Sequence, residues 1–443
     1  MSQLSLLLAF GLCVALTIIL IAKFQFNSFV VLYLMAIVLA FVLGLPPQRV
    51  VKALEEGLGG VVGYVGVLVL AGYVIAEFIE RSGGVVPVGE LALKFKGQEA
   101  ANHAVGAAGF ILAPPLMCGL TSFITLAPVA RAVAAATGVP LARIALTLMV
   151  ATSASFLFVL PSPGILAAAS LMGADFTTTF VLGLAVAVLV YLTGYGITRA
   201  YSRRRPELSA PGESGGGFAE LKARFERVPT LLGTLSPVLI TVALILAGAC
   251  AGRLGSGSVA AVLAALGTPL FALVAGVVTA MLVNWRVPPK EQSAWVGKAM
   301  AKAAPVILLV GAGGALGAVL REAGVGQVLG DLMVRVGIPG VLLPFALSAV
   351  IKAVQGSSIV SVSTAAALVA PIATTLGLRP EIAALSCAAG ALVPLVQVND
   401  SGFWVFTGFS ELGPALGYKV LTLTYLALSG VALGAVWFLS LVL

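Results

Sequence analysis

Charged residues are scarce in this sequence. Lysine, arginine, aspartate and glutamate together account for only 9% of the 443 residues, whereas hydrophobic residues account for 60%. The mean hydropathy is +1.12. Soluble globular domains contain roughly 25% charged residues. The shortage of charge therefore excludes a soluble globular protein and predicts an integral membrane protein surrounded by the lipid bilayer.

Histidine and aspartate are also rare. The single histidine, His103, excludes a zinc cluster built from histidines, and no histidine lies near Asp400 to support a Ser-His-Asp hydrolase. The other aspartates are Asp175 and Asp331. The four cysteines are widely spaced and form no CxxC motif, so no metal site or cofactor is predicted. The chain is not expected to be an enzyme, and a polytopic membrane enzyme stays a remote alternative.

Long apolar runs make up most of the remaining sequence. A helix that spans the bilayer needs roughly 20 apolar residues. Such runs lie at 4–22, 27–45, 60–79, 176–198, 229–252, 257–284, 300–320 and 421–443. Other apolar stretches are interrupted by Gly, Pro and Ser, so we expect about 10 to 13 membrane segments in an all-α polytopic protein. The first run lacks a basic n-region and a cleavage site and is interpreted as a helix, not a signal peptide.

One long polar stretch divides the chain. Residues 199–228 are rich in Gly, Ser and Pro and contain the densest cluster of basic side chains. Basic loops of membrane proteins stay in the cytoplasm, so the net charge of +8 indicates topology and not a nucleic-acid partner. We therefore predict an N-terminal membrane repeat at 1–198, a cytoplasmic basic loop at 199–228 and a C-terminal membrane repeat at 229–443.

The two halves share a pattern of interruptions. Residues 121–164 and 357–402 each contain a hydroxyl pair, an apolar stretch with Ala-Pro, a Gly-to-Pro turn, a long apolar helix and a polar break. The order is the same and the spacing is similar in both segments, which indicates a duplication. Internal repeats with broken apolar segments at corresponding positions are typical of secondary transporters.

Four interruptions mark the predicted site. Non-helical backbone persists at membrane depth only where protein buries it or where it lines a wet cavity. Two interruptions would be hairpin tips, and two would be breaks in helices. They are Thr121-Ser122, Pro161-Ser162-Pro163-Gly164, Gly356-Ser357-Ser358 and Asn399-Asp400-Ser401-Gly402. Helix N-termini at such places favour an anionic group, and the nearby oxygens favour a small cation, so we expect a carboxylate together with H⁺ or Na⁺.

Asp400 is the most conspicuous residue of this set. It is the only charged residue between Glu381 and Glu411, and a charge near the bilayer centre costs at least ~2.5 kcal/mol. We therefore expect a functional role. In the alternative interpretation, 382–398 already spans the bilayer and Asp400 only caps the next helix at the membrane surface. Lys352 could neutralise a substrate carboxylate or could extend to the membrane surface.

Six segments together form a specific set of motifs, and the last two carry most of the specificity. They are FQFNSFVVLYLMAIVLAFVLGLPPQRVVKALEEGLGG near the start, IERSGG, VLPSPGILAAASLMGAD, GAGGALGAVLREAGVG, QGSSIVSVSTAAALVAP and VNDSGFW. Through these motifs, almost the whole chain resembles the gluconate permease family of gluconate:H⁺ symporters, within the ion transporter superfamily.

The resemblance implies a cation-coupled symporter of the cell inner membrane that imports a small carboxylate, typically a sugar acid such as gluconate. It also implies two inverted repeats with re-entrant hairpins, an elevator-type mechanism and a homodimer. The residues expected to bind substrate are Thr121, Ser122, Ser162, Pro163, Gly164, Gln355, Gly356, Ser357, Ser358, Asn399, Ser401 and Gly402, with Lys352 as a possible counter-charge. Gln355 to Ser358 would form the second hairpin tip.

The sequence departs from the family pattern at three places. The family often has His-Pro-Gly-Pro where residues 162–165 are SPGI, and Ser-His-Val-Asn-Asp where residues 396–400 are VQVND. An acidic residue is replaced near Leu120. Asp400 is then the only carboxylate at the four interruptions, and we expect it to couple transport to H⁺ or Na⁺. A Na⁺-coupled carrier of another anion, or of an amino or hydroxy acid, remains an alternative.

Overall fold

The described part of the chain is entirely α-helical in its regular structure. This computed structural model describes residues 3–22, 24, 26–95, 97–204, 217–251, 257–324, 328, 339–373, 375–394 and 400–443. The regular elements over these residues are helices, which confirms the predicted all-α class. The predicted residue Asn399 lies outside the described residues, as does Asp331.

Ten helices lie among the described residues of the first half. They are α1 (Gln3–Ala22), α2 (Ser28–Val42), α3 (Pro47–Arg81), α4 (Val85–Leu93), α5 (Gln98–Leu112), α6 (Gly119–Thr137), α7 (Leu141–Phe158), α8 (Pro163–Met172), α9 (Phe176–Arg204) and the short α10 (Gly217–Ala223). Helix α9 continues past residue 199, where the sequence predicted the polar loop to begin. No proline interrupts it before Pro206, so the basic residues at its end remain helical.

The second half contains nine helices among its described residues. They are α11 (Leu231–Ala251), α12 (Ser258–Leu266), α13 (Pro269–Val283), α14 (Pro289–Glu322), α15 (Leu342–Gln355), α16 (Ser358–Val369), α17 (Pro380–Gly390), α18 (Ser401–Ser410) and α19 (Pro414–Val442). The predicted apolar run 257–284 is bent by 71° between α12 and α13. Pro269 cannot donate a backbone hydrogen bond to the preceding helix, so a new helix begins there.

Several helices are long and apolar enough to cross a bilayer. Within the described ranges there are seven such helices, and the bent pair α12 and α13 would make an eighth. Shorter apolar helical stretches accompany them within α1, α2, α15 and α16, at 8–17, 28–42, 342–353 and 358–369. The chain is therefore a multi-pass membrane protein.

Two long helices run side by side through the molecule. Helix α3 has 35 residues and α14 has 34, and both begin after a proline with a second proline in the first turn. They pack extensively against each other, and α2 packs against α14. The side chain of Glu77 is fully buried at this interface, where it binds Lys302 Nζ at 2.6 Å and Arg81 Nε at 2.8 Å. An ion-pair network thus joins the two halves of the chain.

Each half contains one helical hairpin followed by one broken helix. Helices α5 and α6 form the first hairpin, and α15 and α16 form the second. Helix α7 is separated from α8 by residues 159–162. Helix α17 ends at Gly390 and α18 begins at Ser401, and residues 395–399 of this second break lie outside the described part of the chain. The first tip lies at 113–118, several residues before the predicted Thr121-Ser122. Helix α5 ends just before Pro114 and Pro115, which cannot continue its backbone hydrogen bonds, and α6 begins after Cys118.

The packing of these elements brings the two tips together. Helix α6 packs against α7, and α16 packs against both α8 and α17. Helix α18 packs against α7, beyond the second break. The tips of both hairpins therefore meet the second break beside the middle of α7.

Candidate functional site

A cavity lies where the hairpin tips meet the second break. Its volume is about 310 Å³, which is at the small end of the range of roughly 300–1,000 Å³ for small-molecule sites. Its walls come from both tips, the end of α17, the start of α18 and the middle of α7 and α19. The lining residues include Cys118, Gly119, Leu120, Met149, Ser153, Phe156, Lys352, Gln355, Gly356, Ser357, Ser358, Pro394, Asp400, Ser401, Gly402 and Tyr425.

Gly356 ends α15 at the second tip in a left-handed conformation, with φ +69°. Its N–H donates to the carbonyl of Lys352 at 2.8 Å, which closes the last turn of the helix. The Lys352 ammonium in turn donates to the carbonyl of Gly356 at 2.6 Å. The turn therefore bends the lysine back over the tip, and only 11% of its side chain is exposed.

Asp400 has two roles in the structure. Its Oδ1 accepts a hydrogen bond from the N–H of Gly402 at 2.8 Å, so the residue caps α18. Its Oδ2 lies 2.6 Å from Lys352 Nζ, and 32% of the side chain is exposed. The capping interpretation and the functional interpretation are thus compatible, because each carboxylate oxygen has its own partner. The pair places one positive and one negative charge at the cavity.

Three helix N-termini open onto this cavity. Helix α6 begins at Gly119, α16 at Ser358 and α18 at Ser401, and each of these residues lines the cavity wall. A side chain caps each of the three ends. Cys118 Sγ accepts from Thr121 N–H at 3.5 Å and Ser357 Oγ accepts from Val360 N–H at 3.4 Å, while Asp400 caps α18 as described above. The partial positive charge of these ends makes the cavity suitable for an anion.

Eight of the predicted residues line the cavity together. They are Lys352, Gln355, Gly356, Ser357, Ser358, Asp400, Ser401 and Gly402. The side chain of Gln355 also accepts a hydrogen bond from Ser28 Oγ of α2 at 3.3 Å. The second tip is therefore held both by the break and by a helix from the first half.

The predicted residues of the first half lie behind the cavity wall. Ser122 is fully buried in α6 and donates to the carbonyl of Cys118 at 3.0 Å, while Thr121 follows the residues that line the wall. Ser162 is fully buried, and its Oγ has no hydrogen-bond partner among the described residues. Pro163 and Gly164 begin α8. A Cβ at Gly164 would lie 3.5 Å from Val362, so the first break supports α16 from behind.

Two neutral polar residues of the wall were missed in the sequence. Ser153 of α7 and Tyr425 of α19 both line the cavity, and their hydroxyl oxygens are 2.6 Å apart. Neither residue lies at one of the four interruptions of the apolar stretches. A polar residue in the middle of a long apolar helix is the signal that could have found them.

The potential metal ligands of the described residues are scattered. Among the residues that the structure describes, no three or more His, Cys, Asp or Glu side chains are grouped so that they could hold a metal ion. The described residues bring one ion pair, several hydroxyls, one side-chain amide and helix N-termini to the cavity.

Comparisons with known proteins agree with this architecture. A model of the GntP family of permeases matches residues 4–442. The gluconate permease of Pseudomonas aeruginosa is 30% identical over 435 residues, covering 96% of this chain and 95% of that protein. The low-affinity gluconate transporter of Escherichia coli K12 is 29% identical and covers 99% of both chains. The D-serine transporter DsdX of the same strain is 27% identical and covers 97% of both chains.

A solved structure has the same fold. The YdaH transporter of Alcanivorax borkumensis, described as having an unusual topology, matches with a TM-score of 0.66 over 94% of this chain and 97% of that chain. The two sequences are 19% identical, so this likeness concerns the fold alone.

Proposed function

The chain belongs to the GntP family of permeases, and from this premise we propose that it imports a small carboxylate, a gluconate-like sugar acid, by secondary active transport. The family consists of inner-membrane transporters, not enzymes. The observation that carries the proposal is the cavity where the Lys352 ammonium meets three helix N-termini. This arrangement supports binding of a carboxylate, because both the ammonium and the helix ends carry positive charge.

Uptake into proteoliposomes tests this function. Purified protein is reconstituted and offered radiolabelled gluconate, lactate and D-serine, with H⁺ and Na⁺ gradients imposed separately. We expect concentrative uptake of gluconate under one of the two gradients. Absence of uptake of any sugar or hydroxy acid under either gradient would contradict the proposal.

Coupling through Asp400 is part of the same proposal. While Asp400 and Lys352 are paired, their charges cancel and the ammonium is occupied. A proton, or a Na⁺ ion, on Asp400 would release Lys352 to bind the substrate carboxylate. The site would then acquire the cation and the anion together, which avoids an uncompensated charge inside the membrane. Loading of the two would therefore be linked.

The variant Asp400→Asn tests the coupling. Asparagine resembles the protonated carboxyl and cannot titrate, so substrate exchange should persist while accumulation against a gradient is lost. Asp175→Asn is the matched control, because Asp175 caps α9 outside the cavity by accepting the N–H of Thr178 at 2.7 Å. Full concentrative uptake by Asp400→Asn would exclude this role.

A second candidate substrate is an amino acid such as D-serine. The site offers one cation and one anion 2.6 Å apart, and a zwitterion could pair with both after the ion pair opens. Asp400 would then bind the substrate ammonium and would not carry a proton. Uptake of D-serine that needs no H⁺ or Na⁺ gradient, together with no uptake of gluconate, would favour this candidate.

We also propose that residues 1–198 and 229–443 are inverted repeats on either side of a cytoplasmic loop at 199–228, and that two copies assemble as a homodimer with an elevator-type mechanism. The matching order of hairpin, broken helix and long helix in the two halves supports the repeat. Native mass spectrometry of the protein in nanodiscs tests the assembly, and a monomer that transports at full rate would contradict it.

A further inference from the structure

Helix α7 is buried almost throughout its length. Of its 18 residues, only Ser153 and Phe156 are not buried. Both line the cavity, together with Met149 and Leu157, which lie on the same face of the helix. Ser153 is therefore the one hydroxyl that α7 presents to the cavity, and the other α7 residues that line it are apolar.

Tyr425 of α19 brings a second hydroxyl to the same place. Its oxygen lies 2.6 Å from Ser153 Oγ and 3.3 Å from the carbonyl of Met149, to which it donates. The side chain of Met149 lies next to the second break, since a Cβ at Gly402 would be 3.7 Å from its terminal methyl. The hydroxyl pair is thus adjacent to the start of α18, where Asp400 and Lys352 are found.

The pair has unused hydrogen-bonding capacity. Two hydroxyls have two protons and four lone pairs between them. When Tyr425 donates to the Met149 carbonyl, its oxygen can still accept from Ser153, and the lone pairs of Ser153 remain open towards the cavity. These oxygens can accept hydrogen bonds from hydroxyl groups of a ligand, which the ammonium of Lys352 cannot do.

Taking the proposed transport of a sugar acid as its basis, we propose that Ser153 and Tyr425 bind the hydroxyl groups of the substrate and set the preference for polyhydroxylated acids over short ones. The released Lys352 ammonium and the helix ends would interact with the carboxylate that all such acids share. The hydroxyl pair would form hydrogen bonds with the substrate hydroxyl groups, whose number differs from one acid to the next. A site that hydrogen-bonds a substrate hydroxyl discriminates against analogues that lack it, because its own polar groups are then left unpaired.

Competition in proteoliposomes tests this inference. The uptake of radiolabelled gluconate is inhibited with unlabelled gluconate, glycerate and lactate, which share the carboxylate and have successively fewer hydroxyls. In Tyr425→Phe and in Ser153→Ala we expect the half-inhibitory concentration of gluconate to rise about tenfold. That of lactate should change by less than about twofold.

Each variant has a matched control: one removes another serine hydroxyl of α7, and the other removes the hydroxyl of another tyrosine. Ser155→Ala removes a buried hydroxyl of α7 that donates to the Ala151 carbonyl, and Tyr191→Phe removes the hydroxyl of a buried tyrosine of α9. Neither residue lines the cavity, and both controls should keep wild-type selectivity.

The outcomes separate this inference from the proposed function. If the wild-type protein takes up gluconate and the two variants weaken all three acids equally, or none, the hydroxyl pair does not determine specificity and the inference is overturned. If the wild-type protein takes up no hydroxy acid, the proposed function fails first and the inference fails with it.

Discussion

Lys352 and Asp400 form an ion pair that the sequence did not specify. Both residues were predicted to belong to the site, Asp400 because it interrupts an apolar stretch and Lys352 because it precedes a hairpin tip. Their contact depends on how the second hairpin tip meets the start of α18 in three dimensions, which a linear pattern does not contain. Ser153 and Tyr425 were not predicted, because each lies in the middle of a long apolar helix and not at an interruption of one.

The ion pair between Lys352 and Asp400 predicts how single and double variants change the free energy of unfolding. Lys352→Gln leaves Asp400 as a largely buried carboxylate without its cation, which should cost about 2 kcal/mol, at the low end for buried pairs because Asp400 is partly exposed. Adding Asp400→Asn removes the unpaired charge and should recover most of this loss. Thermal unfolding of the two single variants and the double variant measures the coupling, while uptake should remain defective in all three. Additive losses would contradict a direct interaction.

Hairpin tips and helix breaks are the elements that the sequence predicted best. Helices end or begin at Pro163, at Gly356 to Ser358 and at Ser401, which are positions that Gly, Pro and Ser predicted because these residues restrict the backbone directly; Asn399 lies outside the described residues. The first tip lies earlier than Thr121 and Ser122 predict, because α5 ends at Leu112, just before Pro114 and Pro115. The bend between α12 and α13 was not predicted either, because Pro269 lies inside a continuous apolar run that reads as one membrane span.

The tip of the second hairpin depends on Gly356. Alanine at this position should destabilise the protein by about 1 kcal/mol, because φ is +69°. It should also lower the affinity for substrate, because the Gly356 carbonyl would no longer be directed at Lys352. Gly173→Ala is the control: this glycine also ends a helix, with φ +68° and open space around it. Equal changes in uptake for both variants would exclude a specific role of the tip.

The whole molecule is held together across its two halves by α3 and α14. Composition predicted a multi-pass membrane protein, and the motifs predicted the family, which the comparisons confirm. The central packing of two long helices was not predicted. Sequence periodicity shows where a helix is apolar but not which other helix covers it, so the partner of Glu77 could not be inferred.

Glu77→Gln should destabilise the whole fold. The variant removes the carboxylate that Lys302 and Arg81 share, and we expect a loss of about 2 kcal/mol, limited by the partial exposure of both cations. Thermal unfolding in detergent measures it, and transport by the folded fraction should be unchanged. Glu56→Gln is the control, because its pair with Lys52 is long, at 3.8 Å, and exposed. A comparable loss in the control would show that the position of Glu77 is not special.

The pairing of Lys352 with Asp400 also has an electrical consequence. An empty site with one cation and one anion has no net charge, and a site loaded with a monoanion and one H⁺ or Na⁺ has none either. Moving a unit charge across a potential of about 100 mV changes its energy by about 2.3 kcal/mol, but neither form of this site would experience that force. Uptake should therefore follow the chemical gradients and should not respond to a K⁺ diffusion potential set with valinomycin. Currents that scale with substrate in a planar bilayer would show that the charges at the cavity do not balance.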